Sequence, residues 1–292
     1  MVEGDWVGRA FEEHRPRLRA VAYRMLGSTS EADDAVQEAW LRLNGRDASE
    51  IDNLGGWLTT VVARVSLNML RSRKVRLEQP LDLRVPDPIV DPADGTDPEH
   101  EALLADSIGL ALLVVLETLS PAERLAFVLH DMFDLPYGEI GSIVGRSPEA
   151  ARQLASRARR RVRAVDTLPD SGLDGQREVV DAFLAAAREG DLARLVAVLD
   201  PDVVLRTDFG PGAASEEVRG AGAVARRARA FGRRGLVTHT VLINGAIGVV
   251  TTRDGAPVSV GGFIVRDGRI VEIDWLLDPE RLARLDLRFL EG

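Results

Sequence analysis

The sequence predicts a multidomain chain in which two all-α domains precede an α+β domain. Three observations predict it. Helical periodicity dominates as far as Arg163, strand-like runs separated by Asn-Gly and Asp-Gly pairs dominate after Leu199, and two segments rich in Pro or Gly divide the blocks. The 292 residues suffice for two or three domains. With 45% apolar and 28% charged residues, the composition is that of a globular protein.

In the first block, residues 1–76, Leu18, Val21, Ala22, Met25 and Leu26 share one helical face and Gly27 ends that helix. Ser28, with Glu31 three residues on, spells a capping box for the next helix, which runs to about Leu43. After a turn at Asn53 to Gly56, a third helix from Trp57 to Arg73 places Leu58, Val61, Val62, Val65 and Met69 inward. Residues 77–98 hold five prolines among acids and are expected to be an extended linker, in its plainest form a disordered acidic tether. Residues 99–165 return to helix. Ser120-Pro121-Ala122-Glu123 caps one helix, and a short helix from Pro136 to Val144 turns at Gly145 into a basic helix starting at Ser147-Pro148. Two helices joined by a Gly-containing turn form a helix-turn-helix pattern. Residues 166–175 are a second linker. Residues 176–292 begin with an amphipathic helix carrying Val179, Val180, Phe183, Leu184 and Ala187. They continue as strands, with hairpins at Asn244-Gly245, Asp254-Gly255 and Asp267-Gly268.

Charge is unevenly placed. The net charge is −9, yet Arg146 to Arg163 carries seven arginines and one glutamate, whereas Glu78 to Asp106 carries nine acids and one arginine. A basic helix in an acidic chain suits focused contact with phosphate and keeps the remaining surface off nucleic acid. The absence of cysteine excludes disulfides and thiolate chemistry, and no metal or organic cofactor is implied. Met1 to Arg9 lacks the apolar core of a signal peptide, and the longest apolar run, Ile108 to Leu116, is too short to span a bilayer. A cytoplasmic protein with no membrane association is expected.

Three helix faces carry the functional candidates. Asp34, Gln37, Glu38 and Leu41 recur at i, i+3, i+4 and i+7, with Asp33 beside them, opposite an apolar face of Ala35, Val36, Ala39, Trp40 and Leu43. Such an acidic stripe suits a basic partner. Thr60, Arg64, Asn68 and Arg71 form a polar stripe with Trp57 at its edge, Asn53 before it, and Arg73, Lys74 and Arg76 beyond its end. Cations beside an aromatic ring suit a phosphate backbone and an unstacked base. On the basic helix, Arg152, Gln153, Ser156, Arg157 and Arg160 point away from Ala151, Leu154, Ala155, Ala158 and Val162. Arg and Gln can read guanine and adenine in the major groove, and the helix start at Ser147 offers free N–H groups to a phosphate.

The stretch from Phe11-Glu12-Glu13-His14-Arg15-Pro16 through Ala22-Tyr23-Arg24-Met25-Leu26-Gly27-Ser28 to Ala32-Asp33-Asp34-Ala35-Val36-Gln37-Glu38-Ala39-Trp40 resembles region 2 of an extracytoplasmic-function (ECF) sigma factor of RNA polymerase. Trp57 to Arg64 continues it. Leu119 to Arg124 and Ala151 to Arg159 resemble region 4. The last block is similar to the SnoaL-like domain, an NTF2-like cone, that extends one subgroup of the family. The resemblance implies a transcription initiation factor, not an enzyme, whose partners are core RNA polymerase and promoter DNA. It implies that Asp33, Asp34, Gln37, Glu38 and Leu41 dock on polymerase. Asn53, Trp57, Thr60, Arg64, Asn68 and Arg71 would take the melted −10 element, and Ser147, Arg152, Gln153, Ser156, Arg157 and Arg160 the −35 element. It also implies that the linker threads toward the RNA exit path, and that the last domain modulates activity through intramolecular contact with the sigma core.

Two segments depart from the subgroup. The Gly-rich loop that commonly ends in Lys reads Asp208-Phe209-Gly210-Pro211-Gly212, and the aromatic, Pro-rich motif after region 2 is reduced to Val85-Pro86-Asp87-Pro88. Asp208, Gly210 and Gly212 are therefore the candidate regulatory loop. The arginines between Ala221 and Arg234 are expected to face the acidic linker. An enzyme would need Asp208, His239 or Asp274 as its base, but no spacing pairs them. A stand-alone DNA-binding repressor would share the basic helix without needing the acidic face.

Overall fold

The computed structural model describes residues 3–46, 51–76, 84–95, 109–164, 172–211, 213–231 and 236–290. Packing divides the chain into two compact units. In the first, α1 (Glu3–Leu26), α2 (Thr29–Asn44) and α3 (Leu54–Arg76) pack as a bundle. Gly27 adopts the left-handed φ of 64° that stops α1 and turns the chain into α2. The Ser28 hydroxyl accepts the Glu31 N–H at 3.4 Å and so caps α2. The Glu31 carboxylate does not close the expected box; it pairs with Arg73 on α3. Leu18, Val21, Met25, Ala35, Val36, Ala39, Leu58 and Val62 are buried between the three helices, and Phe11 meets Trp40 at 4.9 Å between ring centroids.

The chain continues through β1 (Val90–Pro92) and α4 (Leu110–Glu117); Val115 to Glu117 of α4 belong to the first unit. α5 (Pro121–Phe127) runs into a wider turn at Val128–Met132, and α6 (Tyr137–Val144) and α7 (Pro148–Ala164) follow. Both halves of the Ser120/Glu123 capping box form. Gly145 has a φ of 71° between α6 and α7. At Gly141 a Cβ would stand 2.7 Å from the Arg146 carbonyl oxygen, so only glycine lets the turn close this tightly.

Polar ties join the two helical groups of this unit. Arg124, 2% exposed, donates from Nε to the Arg24 carbonyl at 3.0 Å and pairs with Glu117 at 2.8 Å. Arg73 donates to the Leu26 carbonyl at 3.2 Å. Two guanidiniums thus satisfy carbonyls left over at the C-terminus of α1, where cations are favoured.

The second unit holds α8 (Leu173–Glu189), α9 (Leu192–Val198), β2 (Leu199–Asp208), β3 (Glu216–Arg219), α10 (Ala221–Phe231), β4 (Val237–Ile243), β5 (Ala246–Arg253), β6 (Ala256–Arg266), β7 (Arg269–Leu276) and a last turn, α11 (Pro279–Leu282). The sheet order is β1-β4-β5-β6-β7-β2-β3, antiparallel except for the β2–β7 pair. All three expected hairpins form, with positive φ at both central residues: 50° and 78° at Asn244-Gly245, 52° and 80° at Asp254-Gly255, 46° and 69° at Asp267-Gly268. Helices α8 and α10 cover one face over Leu205, Val249, Phe263 and Ile273. This is the NTF2-like arrangement of a curved sheet against helices.

The opposite face of that sheet is covered by part of the segment expected to be a tether, together with Leu110 of α4 and the C-terminal Leu282, Leu285, Leu287 and Leu290. Val85, Val90 and Leu110 pack with Val241, Ile243, Val250, Val260 and Leu276. β1 adds to the edge of β4, pairing Val90 with Ile243 and Pro92 with Val241. Pro92 lies at the end of an edge strand, where a missing N–H disturbs no central ladder. Each buried apolar side chain of this size contributes about 1.5–3 kcal/mol. Residues 84–92 run without helix, as expected, but Val90–Pro92 are built into the sheet, and the chain turns at Ala93-Asp94. The rest of the acidic run lies outside the described residues.

Candidate functional site

The first candidate face is on α2. Asp33, Asp34 and Gln37 are exposed, Glu38 is half-buried, and Leu41 is 58% exposed. Ala32, Ala35, Val36, Ala39 and Leu43 form the buried side, so the two faces expected from the sequence are real. Asp33 pairs with Arg19 at 2.7 Å and Glu38 with Arg42 at 2.9 Å. Asp34 has no ion-pair partner among the described residues. An exposed leucine within an acidic stripe combines an apolar anchor with charge.

The second face is on α3. The Asn53 Oδ1 accepts the Gly56 N–H at 2.9 Å and the Asn53 carbonyl accepts the Trp57 N–H at 2.9 Å, so Asn53 caps the helix. Thr60, Arg64, Asn68 and Arg71 follow one another along a single stripe; all but Thr60 are exposed. Trp57 is half-buried at its edge, with the Arg46 guanidinium 5.9 Å from its ring. Arg64 and Arg71 have no ion-pair partner among the described residues. Arg73 leaves the stripe, because its pairs with Glu31 and Glu117 make it a packing residue. The side chains of Lys74 and Arg76 lie outside the described residues.

The third face is on α7. Arg152, Gln153, Ser156, Arg157 and Arg160 are exposed, while Ala151, Leu154, Ala155 and Ala158 are buried. The exposed Ser147 receives the Ala150 N–H on its hydroxyl at 3.2 Å. Arg157 pairs with Glu123 at 3.0 Å and Arg161 with the same carboxylate at 3.3 Å. Burial alone would raise the Glu123 pKa. The Ser120 hydroxyl and N–H, with Arg161 and Arg157, outweigh it and hold the carboxyl below its ordinary value. Glu149, in the first turn, is likewise held low by its own N–H and by Ser147. That carboxylate occupies the N-terminal field where a phosphate was expected.

The candidate regulatory loop is built by distant residues. Asp208 is buried. Its Oδ2 accepts the Val85 N–H at 3.0 Å and an Arg281 N–H at 2.8 Å, and its Oδ1 accepts the Gly210 N–H at 2.9 Å. Arg281 also donates to Asp87 and to the Val85 carbonyl. Asn244 grips Ile89 twice, accepting its N–H at 3.0 Å and donating its own N–H to the Ile89 carbonyl at 2.9 Å. Gly210, at a φ of 86°, leaves room for Asp278, which a Cβ would approach to 2.6 Å. Gly212 lies outside the described residues. Arg281 was not singled out from the sequence, since one arginine in a C-terminal turn carries no periodic signal. Of the arginines expected to face the linker, Arg226, Arg227 and Arg229 lie on α10, while Arg233, Arg234 and most of the acidic run lie outside the described residues. Arg227 pairs with Glu216, and α10 lies on the sheet face opposite the linker. The three residues weighed as bases do not line the cavity on the helix-covered side of the sheet either. His239 meets the Thr252 hydroxyl at 3.1 Å, and Asp274 lies in a buried cluster with Arg206 and Glu272.

The sequence matches the family model for Sigma-70 region 2 over residues 10–76 and that for Sigma-70 region 4 over residues 109–162. The chain is 38% identical to the ECF RNA polymerase sigma factor SigJ of Mycobacterium tuberculosis, over 95% of this chain and 94% of that protein. The chain belongs to the ECF RNA polymerase sigma factors. A probable ECF sigma factor of the same organism, SigI, is 34% identical over 98% of both chains. The crystal structure of SigJ superimposes with a TM-score of 0.76 at 35% identity, covering 96% of this chain and 99% of that one. As an ECF sigma factor the chain is a transcription initiation factor that binds core RNA polymerase and directs it to specific promoters. No described helix is long and apolar enough to cross a membrane.

Proposed function

We propose that the three exposed faces divide the work of initiation and that the NTF2-like domain governs it through the linker. The α2 face, Asp33, Asp34, Gln37, Glu38 and Leu41, docks on core polymerase. Asn53, Trp57, Thr60, Arg64, Asn68 and Arg71 capture the unstacked −10 strand, Trp57 by stacking and the arginines by phosphate contact. Ser147, Arg152, Gln153, Ser156, Arg157 and Arg160 read the −35 duplex. The protein works in the cytoplasm, where polymerase and promoters are.

The observation that carries the regulatory part is the clasp of Asp208, Arg281 and Asn244 on residues 85–89. Those residues lie between region 2 and region 4. While they are held, this part of the linker is tied to the domain. Released, twelve residues from Arg84 to Gly95 span up to about 40 Å at roughly 3.3–3.6 Å each. The domain thereby sets how far the two promoter-binding regions can move apart, and Asp208 and Gly210 act as structural elements of that clasp. Run-off transcription by the full chain, by a chain ending at Gly175 and by the Arg281→Ala variant tests this. Both altered chains should shift promoter opening in the same direction. Equal activity of all three would overturn the regulatory reading.

A further inference from the structure

We infer that Glu123 is a positioning residue for −35 recognition: its carboxylate holds Arg157 of α7 by the Nε edge and so presents the free end of that guanidinium to a guanine. This role rests on the reading of α7 as the −35 helix. It belongs to a residue on a different helix, α5, which acts on promoter selectivity through Arg157.

The carboxylate is itself fixed. Glu123 is buried at the third position of α5. Its Oε2 accepts the Ser120 N–H at 3.2 Å, the Ser120 hydroxyl at 2.7 Å and an Arg161 N–H at 3.3 Å. Its Oε1 accepts the Arg157 Nε–H at 3.0 Å. The group that grips Arg157 is therefore part of a helix cap and not a flexible surface acid.

The arginines of α7 differ in what they leave free. Arg159 pairs with Asp131 at 2.9 Å and donates to the Tyr137 hydroxyl at 2.6 Å, so it is tied on two sides. Arg152 and Arg160 have no side-chain partner among the described residues. Arg157 lies between these extremes. Only its Nε is engaged, the side chain is half-exposed, and Nη1 and Nη2 are unbound among the described residues. An arginine held at Nε keeps the end-on pair of N–H groups that fits O6 and N7 of guanine. A free guanidinium loses rotamer freedom when it docks, whereas Arg157 has lost it beforehand, which favours the one register its fork can reach. Half-exposed Arg161 stands on the same carboxylate. Together the three groups carry one net positive charge, so Glu123 also restrains attraction to phosphates of any sequence.

Glu123→Gln separates these effects from folding. The amide oxygen can keep the Ser120 bonds, since Gln also serves in a capping box. Its NH₂ then meets the Arg157 Nε–H, donor against donor, and the local positive charge rises by one.

The full-length protein is equilibrated with a pool of short duplexes randomised at their centre, and the bound fraction is sequenced. Affinities for the most enriched duplex and for its scrambled version follow by anisotropy. Glu123→Gln should bind the scrambled duplex more tightly, with a salt slope steeper by about 1. The ratio of enriched to scrambled affinity should fall about tenfold, as for one lost bidentate contact, with base preference flattened at one guanine. If both affinities instead fall together with the thermal midpoint, Glu123 is only structural and the positioning role is overturned. Arg152→Ala tests α7 by itself. If it loses affinity while Glu123→Gln keeps the wild-type ratio, the positioning role falls and the α7 reading stands. If the wild-type protein enriches no sequence, the α7 reading falls and takes the positioning role with it. Should Glu123→Gln fail to fold, Arg157→Lys decides, because lysine keeps the charge beside Glu123 without the fork. An unchanged ratio in that variant overturns the role.

Discussion

Arg281→Ala is the sharpest probe of the clasp. The side chain is 11% exposed and faces Asp87 and Asp208, whose side chains are 14% and 6% exposed. Removing it leaves two largely buried carboxylates without their cation, and the Val85 carbonyl without its donor. Breaking a buried charge pair from one side costs about 3–5 kcal/mol. At about 1.4 kcal/mol per factor of ten, opening of the segment around Val85 should become roughly two to three and a half orders of magnitude more frequent. Amide hydrogen exchange reads this directly, because the Val85 and Ile89 N–H groups are both donors in the clasp. Both should lose protection in the variant. The Val249 amide, in the centre of the sheet, should keep it. Arg281→Lys should recover only part of the effect, since one ammonium cannot fork to two carboxylates and a carbonyl. Unchanged exchange at Val85 and Ile89 in Arg281→Ala would refute the clasp as the element that holds the linker.

The other outcomes concern the interfaces and the buried charges. Asp34→Lys with Glu38→Lys should weaken binding to core polymerase about a hundredfold or more through like-charge contact, with unchanged helix content; a pull-down equal to wild type would remove this face. Arg152→Ala should cost about 1–3 kcal/mol in −35 duplex affinity if it reads a base. Glu149→Gln should strengthen duplex binding modestly by removing a like charge from the start of α7; fluorescence anisotropy on the two variants checks both. Burial, reinforced by the Glu272 charge, raises the Asp274 pKa despite Arg206. A folded-state pKa above the unfolded one gives stability that is present at low pH and lost as pH rises through the folded value. Asp274→Asn should therefore remove part of that loss and flatten the decline in thermal midpoint as pH rises above the ordinary carboxylate range; an unaltered pH profile would contradict the shift.

Much of the molecule is decided by local chemistry and was legible in the sequence. The three hairpins follow from Asn-Gly and Asp-Gly pairs because few other residues tolerate two successive left-handed positions. The helix faces of α2, α3 and α7 follow from a 3.6-residue period, and their buried and exposed sides fall where that period places them. The Ser120 cap forms as its spacing requires. The long family motifs rest on the same local signals.

What only the tertiary structure decided involves residues far apart in the chain. Val90 to Pro92 has no strand signature, since a three-residue edge strand among prolines is set by its partner β4 and not by its own pattern. Arg73 and Arg124 look like surface cations until the end of α1 supplies their carbonyls. The Glu31 half of the α2 box is lost to Arg73 for the same reason. Asp208 meets Arg281 and Val85 across 73 and 123 positions, and the α10 arginines are turned away because their helix packs on the other sheet face. Periodicity and capping report what a residue does with its neighbours within about one turn. Which buried charge meets which partner, and what covers the second face of a sheet, is fixed only when the chain closes on itself.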